Sequence, residues 1–413
     1  MTSVALLHYS CPPVVGGVEE VLRQQAQVLA KYGHEVRLVV GAGGTTADGA
    51  TLARGDTTVQ IHPLLASGAP EAVEATADGT SEAVHRVAAR VEAVLDEALD
   101  GSDVVFAHNV LSMPFNLPLT IALRRIAARG SSREERTAPA VVGWNHDSPY
   151  FYPSYDQRLD RDPWQVLRDP DPGIRWVTVS EARAREFSRL YGGFCPEVVP
   201  NGIDVDSFLK LEPSISALVR EERLVGSDLV LVQPSRLHPR KNIELSLRVL
   251  AALRDRDLDA RLLVTGAHDP HDPAASGYAR RLHELAVRLE VTDAVVMLAD
   301  HVLADGSRMV ASRVGIRDLC QVADMLFLPS LSEGFGLPLL EAGLIRLPVA
   351  CADIPVLREV SGDHAYRFAL DDPPEQIAAE LLTYLDGIPT HQLYRRVVQS
   401  HTWEHIYATH IRP

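Results

Sequence analysis

The chain has 413 residues, 46% of them apolar, more than one ordinary core takes up and enough to bury two. Its 55 Asp and Glu against 40 Lys and Arg leave a net charge of -15, a balance that disfavours nucleic acid and the anionic face of a membrane as partners. Cys11, Cys195, Cys320 and Cys351 show no paired spacing, which argues against a disulfide framework or a structural zinc site. No signal peptide and no apolar run of transmembrane length is visible, so the cytoplasm is the expected compartment.

In chain order, Ser3-Val-Ala-Leu-Leu7 reads as a first strand, followed by a turn containing Gly16 and Gly17. The helix after it carries Val18, Val21, Leu22, Val28 and Leu29 on one stripe and stops at Gly33. Neither this turn nor Gly41-Ala-Gly-Gly44 completes Gly-x-Gly-x-x-Gly, which disfavours a nicotinamide dehydrogenase. Residues 45 to 82, rich in Ala, Gly and Thr, and 131 to 139 read as variable loops. Val104-Val-Phe-Ala-His108 is an apolar strand ending in histidine, and Val141-Val-Gly-Trp-Asn-His-Asp147 repeats the arrangement one unit later. Arg124, Arg125, Arg129, Arg133 and Arg136 form a basic cluster, read as a solvated helix face with peripheral membrane or anionic-acceptor contact as its alternative. Asp160-Arg-Asp162 follows no strand and is discounted, while Trp176-Val-Thr-Val-Ser-Glu181 and the Asn201-Gly202 turn close the first half.

The second half alternates strands and helical patterns, an arrangement that calls for α/β units and parallel sheets. The expected strands are 229–232, 261–264, 295–298, 325–328 and 349–352. After the first comes Gln233-Pro-Ser-Arg-Leu-His-Pro-Arg-Lys-Asn242, where Asn242 can cap a helix that shows Ile243, Leu247 and Leu250 on one face. Arg236, Lys241 and, as a substitute, Arg240 make this loop basic, which by itself equally suits a solvated turn and a seat for a diphosphate, with Arg as a fork and Lys as a point charge. His268-Asp-Pro-His-Asp272 has metal-ligand letters, but its prolines favour a solvated turn, and residues 300 to 315 form a polar loop.

Met325-Leu-Phe-Leu328 leads into Ser330-Leu-Ser-Glu-Gly-Phe-Gly-Leu-Pro-Leu-Leu-Glu341. Gly334 and Gly336 permit a sharp turn, a helix opens near Pro338, and Leu339, Leu340 and Leu344 are expected to mark its packed face. Backbone N–H groups at such a helix start, aided by its dipole, can hold phosphate. Glu341 can accept from a vicinal diol such as a ribose, and Glu333 from the hydroxyls of a second sugar; on spacing alone the commoner reading is that Glu341 complements the helix dipole and Glu333 caps the loop.

Across residues 330–342, Ser-x-x-Glu-Gly-Phe-Gly-Leu-Pro-x-x-Glu-Ala closely resembles the two-glutamate motif of the retaining glycosyltransferases with the GT-B fold, often called family 4. The Gly16–Gly17 turn, the 233–242 loop, the 176–181 run and the 198–204 turn resemble further signatures of that family. The resemblance implies two Rossmann-like domains with parallel sheets facing across a cleft: 1–205 for the acceptor, 206–387 for the nucleotide sugar, and a tail, 388–413 with Trp403 and Glu404, returning to the first. It implies that Arg236 and Lys241 bind the donor diphosphate with Gly16, Gly17, Gly334, Phe335, Gly336 and Leu337 around it, that Glu333 and Glu341 hold donor hydroxyls, and that His108 faces the reaction centre. His146 and Asp147 resemble an acceptor-side pair. A hexosyl unit would pass from a nucleoside diphosphate to a hydroxyl acceptor with retention and no essential metal or other cofactor.

Ile345 and Arg346 stand where the family usually has a smaller residue and a glycine. The rival readings are a nucleotide-sugar epimerase or hydrolase on the same fold, a glycosidase using Glu333 and Glu341, which leaves Arg236 and Lys241 without purpose, and a two-lobed sugar-binding protein, which should lack the diphosphate loop.

Overall fold

The computed structural model describes residues 2–44, 57–77, 80–130, 138–266, 275–310 and 312–412. The chain divides into two compact units, Met1–Ile203 with His401–Pro413, and Asp204–Ser400.

The first unit runs β1 (Ser3–Ser10), α1 (Gly17–Lys31), β2 (Glu35–Ala42), β3 (Thr57–Ile61), α2 (Pro70–Ala77), α3 (Ser81–Ala98), β4 (Val104–His108), α4 (Leu117–Gly130), β5 (Ala140–Asn145), β6 (Ile174–Thr178), α5 (Glu181–Leu190) and β7 (Glu197–Val198). Its seven strands form one parallel sheet in the order β3-β2-β1-β4-β5-β6-β7. β1 is apolar without alternation because helices cover both faces. Val4 and Leu6 enter a core with Leu22 and Leu29 of α1, while Ala5 and Leu7 enter another with Val91 and Leu95 of α3 and Leu119 of α4.

The second unit runs α6 (Val205–Leu209), α7 (Pro213–Glu221), β8 (Leu229–Gln233), α8 (Ile243–Arg254), β9 (Ala260–Val264), α9 (Ala275–Arg288), β10 (Val295–Met297), α10 (Arg313–Val322), β11 (Met325–Leu328), α11 (Leu337–Ile345), β12 (Val349–Ala352), α12 (Pro355–Ser361), β13 (Tyr366–Phe368), α13 (Pro374–Asp386) and α14 (Pro389–Ser400). Six parallel strands are ordered β10-β9-β8-β11-β12-β13. α8 and α13 cover one face, and α7, α10 and α11 the other.

Both sheets reverse strand order once, between β1 and β4 and between β8 and β11. In open parallel sheets the crevice outside the carboxyl ends at such a reversal is where ligands bind.

Several expectations change. The 45–82 stretch, taken as loop, contains β3 and α2; residues 45–56 and 78–79 lie outside the described part, as do 131–137 and the His268–Asp272 run. β13 was not expected, being three residues long with Tyr366 and Arg367 partly exposed. Residues 389–400, assigned to the returning tail, form α14 and pack within the second unit. There the enclosed Asp324 carboxylate accepts from His391 at 3.0 Å and from Arg395 at 3.3 Å, and the Tyr394 hydroxyl donates to the Val322 carbonyl. From His401 on, the chain belongs to the first unit: Ile203 N–H donates to His401 O at 2.7 Å, and in α15 (Trp403–Ile406) the 1% exposed Trp403 donates to Gln24 at 2.8 Å. The described members of the basic cluster face acids of their own chain, Arg124 pairing with Asp169 and Asp171, and Arg125 and Arg129 with Glu92, while Arg133 and Arg136 lie outside the described residues. Among the described residues no helix is long and apolar enough to cross a membrane.

Candidate functional site

The residues singled out on sequence grounds fall into two sets, one at each strand-order reversal. In the second unit the loop after β8 and the loop after β11 are stitched together. Gln233, wholly buried at the end of β8, donates through Nε2 to the Lys241 carbonyl at 2.8 Å and accepts from Ser246 Oγ at 2.6 Å. Leu331 N–H donates to Arg240 O at 2.8 Å, and the Arg240 guanidinium to Ser332 O at 3.2 Å. Asn242 does not cap α8. Its backbone is left-handed at φ 51, and its amide donates to Pro329 O at 3.1 Å, so the expected cap is instead a cross-loop tie.

This stitching brings Lys241 Nζ to 2.5 Å from Glu333 Oε1 although 92 residues separate them, with both side chains nearly enclosed at 13% and 9% exposure. Ser330 Oγ also donates to that oxygen at 2.6 Å, and Arg240 lies 3.6 Å from the other. Arg236 is exposed on the same loop. Its backbone is crowded from behind: a Cβ on Gly266, just past β9, would lie 1.9 Å from Ser235 O and 2.5 Å from Arg236 Cα.

Gly336 precedes α11 at φ 94, a conformation that favours glycine, and Pro338 sits in the first turn. Gly334 has neither a positive φ nor a neighbour that would meet a Cβ, so only one of the two glycines is sterically required. Of the three leucines expected on the packed face of α11 only Leu339 is buried, with Ala342 beside it, while Leu340 and Leu344 are exposed, as are Phe335 and Leu337. Glu341 shares that outward face, 3.8 Å from Arg313, and lines a pocket of about 310 Å³ with Ile316, Arg317, Cys320, Leu344 and Ile345. At the far end of α11, Arg346 takes a left-handed conformation, φ 60, and Leu347 N–H returns to Ala342 O, the geometry that usually selects glycine.

In the first unit, His108 ends β4 with no exposed surface. Its Nε2 lies 2.9 Å from Gln25 Oε1 and its Nδ1 3.1 Å from Nε2 of the half-buried His146, so His108 sits behind His146 rather than at the surface. His146 Nδ1 is 3.4 Å from the Asn201 amide, and the His146 backbone N–H donates to Asn109 Oδ1 at 2.7 Å. On β1, His8 Nδ1 donates to the His108 carbonyl at 2.8 Å, and its Nε2 is 3.9 Å from Glu19. Burial, and then the neighbouring imidazoles, hold His108 well below the ordinary histidine range; burial and then His8 lower His146 to about 3. Burial also lowers His8, against the opposing pull of the His108 carbonyl and Glu19. Asp147 turns away from this string, accepting from Tyr152 at 2.6 Å and lying 3.4 Å from Arg183.

The Gly16–Gly17 turn already holds an anion of its own. A Cβ on Gly16 would lie 2.0 Å from Glu19 Oε2, while Glu19 Oε1 accepts from Ser10 at 2.7 Å. Asp160 is occupied by Tyr155 and Arg168. Among the described residues no group of acidic, histidine and cysteine side chains is arranged to hold a metal. Sequence reasoning missed Gln25, Glu19, Gln233 and Gly266. Only Gln25 left a trace, as the polar letter on the apolar stripe of α1.

Two family models divide the chain between them: Glycosyltransferase Family 4 over residues 15–207 and Glycosyl transferases group 1 over 215–397. D-inositol 3-phosphate glycosyltransferase 2 of Catenulispora acidiphila is 31% identical over 202 residues, 47% of this chain and 43% of its own length. Mannosylglucosylglycerate synthase of Thermotoga maritima is 24% identical over 389 residues, 86% of this chain and 81% of its own. The chain spans about half the length, or less, of most such relatives. Sucrose-phosphate synthase from Thermosynechococcus elongatus aligns over 99% of this chain and 97% of its own with 16% identity and a TM-score of 0.37.

Proposed function

Because this chain belongs to the family 4 glycosyltransferases of the GT-B fold, enzymes that draw on nucleotide sugars, we propose that it transfers a hexosyl unit from a nucleoside diphosphate to a hydroxyl acceptor with retention of anomeric configuration. The observation that carries this reading is the pairing of Lys241 with Glu333 at the mouth of α11, at the reversal between β8 and β11. A lysine held by a carboxylate, with two arginines on its loop and a helix start beside it, is a ready seat for a diphosphate. Lys241 and Arg236, with Arg240 as their neighbour, take the charge that grows on the departing phosphates, so they stabilise the transition state more than the ground state. Glu333, released from part of its contact with Lys241, accepts hydrogen bonds from the sugar, and Glu341 accepts from the ribose. The backbone around Gly334, Phe335, Gly336 and Leu337 follows the phosphates.

The acceptor oxygen forms its bond to the anomeric carbon on the face from which the diphosphate leaves. Its proton passes to a phosphate oxygen, so no separate base is required. In the first unit His146 is better placed than His108 to meet a substrate, since it is the partly exposed member of the pair. Asp147, on the same loop, remains an acceptor-side candidate.

Incubation with a panel of UDP, GDP and ADP sugars, followed by NMR of the product, tests the reading. The expected result is a glycoside with the donor's anomeric configuration. An inverted product defeats the retaining mechanism, and an isomerised free sugar favours the epimerase. Cleavage of simple glycosides without any nucleotide favours the glycosidase, a reading weakened by the engagement of Glu333 with Lys241, Arg240 and Ser330.

A further inference from the structure

The string Asn201, His146, His108, Gln25 joins two side-chain amides through two imidazoles, and His108 and Gln25, at its inner end, have no exposed surface. A neutral imidazole donates from one nitrogen and accepts at the other, so fixing one end of the string fixes every proton in it. Gln25 Oε1 can only accept. His108 Nε2 must then carry a proton, its Nδ1 is bare, and His146 Nε2 must donate to it. His146 Nδ1 is left bare, met only by the long 3.4 Å contact from Asn201. The atoms left without a partner are those this direction leaves over, Gln25 Nε2 at one end and Asn201 Oδ1 at the other. Turning both amides would reverse the string, so the direction is a property to be measured and one that a single side chain can bias.

We infer that Gln25 is a positioning residue, which acts through His108 to hold the Nδ1 lone pair of His146 bare and available to a hydroxyl of the substrate. With the opposite tautomer His146 would present N–H and would favour an ether or carbonyl oxygen instead. Gln25 thus acts on what His146 recognises without touching a ligand itself. The inference rests on the reading that His146 meets the substrate, but the tautomer can be observed without any reaction.

The test begins with imidazole nitrogen chemical shifts of the whole chain at neutral pH. His146 and His108 should both appear as neutral rings protonated at Nε2; Nδ1–H on His146, or an imidazolium, overturns the inference. Gln25→Leu removes the acceptor, and Gln25→Glu keeps it while abolishing the ability to donate. The expected order is a fall of about tenfold in kcat for Gln25→Leu with KM little changed, recovered in large part by Gln25→Glu. A role in packing alone predicts the reverse, with leucine tolerated and the buried carboxylate worst. If Gln25→Leu changes the His146 tautomer while transfer proceeds at the original rate, the string stands but the role of His146 at the substrate is lost.

Discussion

Gly266→Ala tests the placement of Arg236 through a residue with no side chain of its own. An added Cβ of ideal geometry would stand 1.9 Å from Ser235 O, 2.3 Å from its carbonyl carbon and 2.5 Å from Arg236 Cα. Carbon contacts settle near 3.5 Å, so something must move by roughly 1.5 Å. All three atoms are backbone or bonded to it, and no rotamer change relieves them. The strain should cost about 1–3 kcal/mol of stability. Taken up by the 235–236 segment, a shift of that size should lower kcat by about a hundredfold. Gly226→Ala, where a Cβ meets nothing within 4 Å, is the control and should be silent. Urea denaturation gives the stability, calorimetry with the donor gives the affinity, and initial rates give kcat. A folded Gly266→Ala enzyme with the original affinity and turnover would show that Arg236 is not held for the donor by this contact.

Lys241→Ala should reduce kcat on the order of a hundredfold or more, with a smaller effect on folding because Ser330 and Arg240 still satisfy Glu333; unchanged initial rates would remove it from the site. Arg346→Gly, which relieves a left-handed arginine at φ 60, should raise stability by about 1 kcal/mol in denaturant melts, and any loss of stability counts against the assigned strain. The histidine string makes stability depend on pH. Folded-state values lie below the unfolded one, so below about pH 6.5 the unfolded chain binds more protons and stability falls toward the folded value, about 3 for His146. Each histidine adds a slope of up to about 1.4 kcal/mol per pH unit; urea midpoints that stay level between about pH 7 and pH 5 would contradict neutral burial. Trp403→Ala, which empties a site only 1% exposed, should cost about 3–5 kcal/mol in the first unit, checked by the same melts.

The strands at 325–328 and 349–352 were readable because both faces of a parallel strand are covered and the letters run apolar without a break. β3 and β13 were not, since they lie at sheet edges where exposed Thr58 or partly exposed Tyr366 and Arg367 dilute that signal. Leucines on α11 misled for a related reason. Leu339 and Leu344 are the same letter, and only the fold shows that one enters the core while the other lines a surface pocket. The site motifs were legible at Lys241, Glu333 and Glu341, where charged letters surround an obligatory turn. The side chains that hold them were not: Gln233 and Asn242 act across loops, and Gly266 acts by lacking a side chain altogether.

The hydrogen bond from Ile203 to His401 puts the way out of the first unit beside the way back in. Topologically, Asp204–Ser400 is a guest spliced into a host at one seam. During synthesis the host must therefore wait, its Trp403 socket on α1 unfilled, until the guest has left the ribosome. Exchange of the guest for a short linker should leave a host that closes unaided.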